Sequence, residues 1–360
     1  MKKTFKLLFA SLLAVALLVA CGGTGDNDTD DGDKKTEIIL ITDVGTIDDK
    51  SFNQGAYEGV KQYGDEHSVG YDYYRPTDAD DEAYYDEISK AITDGGAKII
   101  VTPGFLFEPA VMRAQKDFPE VKFVILDGAP EEIADNTYSV LYKEEQAGFL
   151  AGYAAVKEGM TELAYIGGMK VPAVEAFGIG YVYGAEHAAK EMDVNVNMRY
   201  HYANTFEPSD AVNSLASSWY VDGTEVIFVA AGGSGPSVFA AANDHEEAKV
   251  IGVDVDQRDE SEKIITSAMK SLQLSVYEAL DAFYKDNFPG GTQFVYGVED
   301  DGVGLPDNFD RFDNFTKADY DEIYAALVAD TDGIRTNIPR THETDFSDHT
   351  FTNVTVTVVE

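Results

Sequence analysis

Residues 37–67 read EIILITDVGTIDDKSFNQGAYEGVKQYGDEH. The run Ile38–Ile41 is apolar at successive positions rather than alternate ones, which marks a strand covered on both faces. The polar loop 43–51 follows, and then FNQGAYEGVKQYGDEH, an amphipathic helix. A buried strand, a loop at its carboxyl end and a covering helix make the repeating unit of a parallel α/β sheet.

The unit recurs along the chain. Strand-like runs are VGYDYYR, AKIIVTPG, VKFVILDG and TYSVLY, then LAYIGGM, NMRYHYA, EVIFVAAG and AKVIGVDVD. Among the intervening stretches, DEAYYDEISKAITDGG is apolar at 84, 85, 88, 91 and 92, the spacing of one helix face. The runs form two sets, and 360 residues suit two domains. The expected class is α/β, with two doubly wound parallel-sheet lobes. Lobe 1 is expected over 37–141 plus about 265–298, where IITSAMK, SVYEALDAFYKDNF and TQFVYGVED offer a strand, a helix and a strand. Lobe 2 is expected over 142–264 plus about 299–360, ending in the alternating strand-like tail THETDFSDHTFTNVTVTVVE.

The chain carries 65 Asp and Glu against 27 Lys and Arg, a net charge of −38. Such a surface repels phosphate backbones and argues against a nucleic acid partner. It suits solubility in salty or crowded surroundings. MKKTFK and LLFASLLAVALLVA read as the basic and apolar parts of an export signal over 1–20. The apolar part is short for a membrane span. Leu18-Val19-Ala20-Cys21 resembles a bacterial lipobox, in which the cysteine is acylated. Cys21 is the chain's one cysteine and cannot form an internal disulfide. The expectation is an extracytoplasmic protein anchored to the cell membrane by lipid on Cys21, with 21–36 as an acidic flexible tether. From Asp26 onward, Asp28, Asp30 and Glu37 just past the tether partly imitate a calcium loop with it, but the glycine falls one place late, and the segment reads as solvated linker.

Ligands of open α/β sheets bind beyond the carboxyl ends of the strands. The residues found there are Asp43 and the DDKSFNQ loop, Gly104 and Phe105, Asp127, Met169, Gly232 and Gly233, and Asp254 with Asp256. Histidines do not converge on these ends, and zinc spacing and the nucleophile elbow are missing. No catalytic residue, metal or cofactor is expected. Carboxylates accept from hydroxyls, amides donate and accept, and an aromatic face stacks. That set suits a neutral polyhydroxylated or heterocyclic ligand.

The stretch TDVGTIDDKSFNQGAYEG is similar to the opening motif of the basic membrane protein family, the purine-nucleoside receptor lipoproteins of bacterial ABC importers. GFLFEPAV, FVILDG, EEQAGFLAGY, YIGGMKVPAVEAFGIGYVYGAE, AAGGSG, IGVDVDQ and TSAMKS follow in the family's order, over roughly residues 38–280. The resemblance implies a type I periplasmic-binding-protein fold with hinged lobes and a cleft between them. It implies that Phe52 and Phe177 sandwich a base, and that Asp43, Asn53 and Asp127 read its edge or line its pocket. It implies that Asp254 or Asp256 holds the ribose with Lys270, while Gly232 and Gly233 permit close backbone approach. Ser51 and Gln54 of the SFNQ motif, with Phe105 and Met169, complete the expected ligand set, and Ser51 or Asp49 caps the following helix. Many relatives carry an Asp shortly after the lysine; here the run is Lys270-Ser271-Leu272-Gln273. The expected ligand is guanosine, inosine or adenosine, the expected partners are an ABC permease and its ATPase, and the expected state is a monomer. A sugar or autoinducer receptor on the same fold, an exported nucleoside hydrolase, and a surface sensor without a transport role are the alternative readings.

Overall fold

The computed structural model describes residues 36–343 and 345–360. The export signal, Cys21 and nearly all of the tether lie outside the described residues. The first strands are β1 (Thr36–Ile41), β2 (Gly70–Tyr74), β3 (Ile99–Pro103), β4 (Lys122–Leu126) and β5 (Thr137–Tyr142). The next are β6 (Glu162–Gly167), β7 (Val196–Tyr202), β8 (Val226–Ala230), β9 (Lys249–Asp254) and β10 (Ile264–Lys270). β11 (Thr292–Tyr296), the two-residue β12 (Val303–Gly304) and β13 (Val354–Val358) follow. The helices are α1 (Phe52–His67), α2 (Asp81–Thr93), α3 (Glu108–Asp117), α4 (Glu144–Lys157), α5 (Pro172–Met192), α6 (Asp210–Val221), α7 (Gly235–Asn243), α8 (Leu272–Tyr284) and α9 (Lys317–Val328).

Two sheets result, ordered β11-β5-β4-β3-β1-β2 and β12-β10-β9-β8-β6-β7-β13. All pairings are parallel except the short β10–β12 pair. The central strands β3 and β8 are buried along their whole length, as continuous apolar runs require. The order in which successive strands are added reverses between β1 and β3 in one lobe and between β6 and β8 in the other. A crevice opens at each reversal, at the carboxyl ends. The loops carrying Asp43, Phe105, Val171 and Gly232 therefore face one another.

The expected lobe division is corrected at one strand. Residues 265–270 are expected in lobe 1, but β10 pairs with β9 in the second sheet. Periodicity marks IITSAMK as a buried strand without saying which sheet it extends. The chain returns to lobe 1 only at α8, which packs on α1, and Lys270 is thus a lobe 2 residue. The described residues of the tail before β13 form turns and loop, and β13 pairs with β7.

Three crossovers join the lobes: Tyr142–Glu144, Lys270–Leu272 and Tyr296–Val303. They bond to one another, Lys143 N donating to Tyr296 O at 2.8 Å and Ser271 N to Gly302 O at 2.9 Å. Helices α4 and α5 meet backbone to backbone. A Cβ at Gly148 would stand 2.1 Å from the Phe177 carbonyl oxygen, and one at Gly180 would stand 2.1 Å from that of Glu145. Glycine is required at both places, and this close packing fixes the position of Phe177.

Candidate ligand cleft between the lobes

The loop after β1 is organised by its own side chains. Asp43 Oδ1 accepts from Gly45 N and from Asn53 Nδ2, both at 2.8 Å, and Asn53 Oδ1 accepts from Asp43 N at 3.2 Å. Asn53 Nδ2 also donates to Asp49 Oδ2 at 2.9 Å. The Asp49 carboxylate in turn accepts from the backbone N–H groups of Ser51, Asn53 and Gln54. The free amides at the start of α1 are thus satisfied by Asp49. Ser51 occupies the N-cap position without a side-chain cap and donates instead to Asp254 Oδ2 at 2.5 Å. Asp49→Ala is expected to cost about 1 kcal/mol in urea unfolding. It should also speed hydrogen exchange at the Asn53 and Gln54 amides, whereas Ser51→Ala should leave those two amides slow.

The second cluster centres on Lys270. Its Nζ lies 2.6 Å from Asp127 Oδ2, across the cleft, and 3.3 Å from Asp254 Oδ1 on its own lobe. The ammonium stands 4.3 Å from the centroid of the Phe52 ring, 5.4 Å from that of Tyr142 and 5.5 Å from that of Phe177. Its side chain is only 2 % exposed, so the charge is held by these partners rather than by water. Asp127 and Asp254 both have positive φ, 54° and 67°. Aspartate tolerates that conformation, and it turns each carboxylate off the end of its strand. Asp127 Oδ1 is buried without a hydrogen-bond partner among the described residues.

Burial dominates the titration of these groups. It pushes the Asp43 carboxyl up to about 6, against the bonds from Gly45 and Asn53, and it raises Asp49 as well. It pushes Asp127 up to about 7, against Lys270. Burial would pull Lys270 down, but Asp127 and Asp254 outweigh it and hold the ammonium above its usual range. Glu144 adds to the negative side of this balance.

Around both clusters lies a cleft of about 770 Å³, its open mouth included. It gathers Asp43, Phe52, Asn53, Phe105, Asp127, Phe177, Gly232, Gly233, Asp254 and Lys270 from the expected set. Four expected residues are placed elsewhere. Ser51 supports Asp254 from behind. Gln54 donates to Glu58 Oε1 and lines a separate groove on the far side of Lys270, together with Asp256. Asp256 is exposed, so Asp254 is the member of that pair that reaches the cleft. Met169 is half-buried and absent from the cleft wall.

Phe206, Leu106 and the Val171–Val174 wall also line the cleft, outside the expected set. Phe206 sits in a polar loop after β7, an aromatic beyond a strand's carboxyl end, which was the available signal. Its ring occupies the space a side chain at Gly168 would need, and its carbonyl oxygen lies 2.9 Å from a Cβ at Gly233. The glycine at 233 thus makes room for Phe206.

The lobes are closed on one another. Beyond the Ser51–Asp254 and Lys270–Asp127 links, Gln257 Nε2 donates to Lys50 O at 2.6 Å and Lys50 lies 3.5 Å from Glu260. Among the described residues, no His, Cys, Asp and Glu group has the arrangement of a metal site. No described helix is long and apolar enough to cross a membrane.

Residues 36–327 match the family described as Bmp, ABC transporter substrate-binding protein PnrA-like. The chain is 30 % identical over 354 residues to the "CD4+ T-cell-stimulating antigen" of Listeria innocua, covering 92 % of this chain and 98 % of that one. It is 29 % identical to the "ABC transporter nucleoside-binding protein BmpA" of Lactococcus lactis, covering 92 % and 97 %. Among solved structures, an ABC transporter solute-binding protein from Aeropyrum pernix K1 superposes with a TM-score of 0.69 at 25 % identity, over 84 % of this chain and 89 % of that one. A solute-binding protein from Conexibacter woesei gives 0.67 at 20 % identity, over 85 % and 99 %. The two parallel-sheet lobes are those of the type I periplasmic-binding-protein fold, and the chain belongs to the Bmp family of PnrA-like ABC transporter substrate-binding proteins.

Proposed function

We propose that this substrate-binding protein captures purine nucleosides in the interlobe cleft and hands them to an ABC permease and its ATPase, without altering them. The observation that carries the reading is the buried Asp127–Lys270–Asp254 cluster lying against the faces of Phe52 and Phe177. A ribose offers vicinal hydroxyls to such a cluster, and charge-assisted bonds to it are strong. A base offers a flat face to the phenylalanines and N–H groups to the Asp43 carboxylate. The Lactococcus relative named as nucleoside-binding supports the same assignment. The protein is monomeric, extracytoplasmic and held at the membrane by lipid on Cys21.

Titration calorimetry with guanosine, inosine, adenosine, cytidine and ribose, after unfolding and refolding to strip carried ligand, tests this. Tight one-to-one binding of a purine nucleoside is expected. Preference for ribose alone, or conversion of inosine to a free base, would overturn it.

The raised carboxyls predict how binding follows pH. Ligand N–H and O–H groups donate to the ionised forms of Asp43 and Asp127, whose values lie near 6 and 7. Affinity should therefore fall as pH drops from 8 to 5.5, by up to about one decade per pH unit for each proton taken up. The contribution of the same groups to stability runs the other way. Their folded values are raised, so their contribution is fully present below the ordinary Asp range and is lost as pH rises through 6 and 7. An affinity that stays flat between pH 8 and 5.5 would contradict donation to these carboxylates.

A further inference from the structure

Beyond residue 327, where the family match ends, the chain folds back along lobe 2. Glu186 accepts from the backbone N–H groups of Thr352, Asn353 and Val354. Glu175, at the start of α5, accepts from His342 N at 2.9 Å. Between these anchors and α9 stands Arg340, whose guanidinium reaches the first crossover. Nη1 donates to Tyr142 O at 2.9 Å and to Glu145 Oε2 at 2.6 Å, and Nη2 donates to Glu144 Oε2 at 2.6 Å. Tyr142 ends β5 of lobe 1, and Glu144 and Glu145 open α4 of lobe 2. One side chain therefore spans the joint, and the planar fork of arginine suits three acceptors in a way a lysine does not.

The charges around that joint form one set. The Glu144 and Glu145 side chains are 2 % and 5 % exposed. Glu144 faces the Asp127–Lys270 pair, and Lys143 neighbours Glu145 on the same segment. Four buried carboxylates, Asp127, Asp254, Glu144 and Glu145, are thus served chiefly by two cations, Lys270 from one side and Arg340 from the other. Without Arg340, Glu144 would compete with Asp127 and Asp254 for Lys270.

We propose that Arg340 is a positioning residue for the cleft, engaging Glu144 and Glu145 so that Lys270 stays with Asp127 and Asp254 and the crossover is held closed. Arg340 lines no part of the cleft, so any effect on ligand travels through this joint. The affinity arm of the test rests on the nucleoside reading; the scattering arm does not.

The test compares wild type, Arg340→Met, Arg340→Lys and the triple variant Arg340→Met/Glu144→Gln/Glu145→Gln, by guanosine titration and by small-angle X-ray scattering without ligand. Arg340→Met should bind about tenfold more weakly, the size usual for coupling through packed charged groups, and should show a larger radius of gyration. Arg340→Lys should fall between. The triple variant should return to within about threefold of wild type, and to its radius, because the carboxylates that required the guanidinium are gone. A purely structural role would leave the triple variant as weak as Arg340→Met, and that result overturns the proposal, as does wild-type affinity in Arg340→Met. If Arg340→Met does not fold, the triple variant decides alone by the same threefold and tenfold limits. If wild type binds no nucleoside, the nucleoside reading fails and the radii decide here: expansion in Arg340→Met reversed in the triple variant supports the proposal, and equal radii overturn it.

Discussion

Lys270→Met abolishes nucleoside binding and lowers the unfolding free energy by about 3–5 kcal/mol, the cost of removing one partner from a buried ion pair. The ammonium bridges the lobes, 2.6 Å from Asp127 and 3.3 Å from Asp254. Methionine fills a similar volume but leaves both carboxylates buried without a counter-charge. The deficit depends on pH in a definite direction. Burial has already pushed Asp127 up to about 7, and loss of Lys270 pushes it further. The folded variant then holds a proton that the unfolded chain releases above the ordinary Asp range, so its stability falls as pH rises. Urea unfolding should show a larger deficit at pH 8 than at pH 5. Equal deficits at the two pH values, or retained nucleoside affinity, would mean that the cluster is not the charge centre of the site.

Phe52→Ala weakens purine nucleoside binding by about ten- to a hundredfold, because base–aromatic stacking is worth about 1–3 kcal/mol per base. Ribose binding, however weak, should be unchanged, since ribose has no face to stack. Phe52 is the phenylalanine to choose. It is half-buried, and its loss disturbs the fold little. Phe177 is 2 % exposed and packs against Phe228, so its truncation would cost several kcal/mol of stability and confuse the two effects. Calorimetry with guanosine and ribose on the same protein separates stacking from general damage. An equal loss for both ligands would contradict the stacking role.

The strands were legible because burial on both faces writes itself as an unbroken apolar run, as in Ile38–Ile41 and Val226–Ala230. Sheet membership was not, because β10 reads the same whether it extends one sheet or the other. For a similar reason the sequence does not choose between Asp254 and Asp256. Two residues apart, they would share a face of an ideal strand, but the positive φ of Asp254 ends the strand there and turns Asp256 outward. Capping rules point to Ser51 as readily as to Asp49; what decides is Asp254, which takes the serine hydroxyl from a residue 203 positions away. Arg340 was invisible for the same reason, since Glu144 lies 196 positions from it and no local pattern links them. The family motifs around Lys270, Phe52 and Phe177 are dense enough to single them out, whereas Phe206 stands in a polar loop without such a motif.

The most direct measurement is a crystal structure of the protein with guanosine. The expected structure has the base between Phe52 and Phe177, with its edge at Asp43 or Asp127 and the ribose hydroxyls on Asp254 and Lys270. A nucleoside bound outside the interlobe cleft, or bound there with its base away from both phenylalanines, would rule out this binding mode.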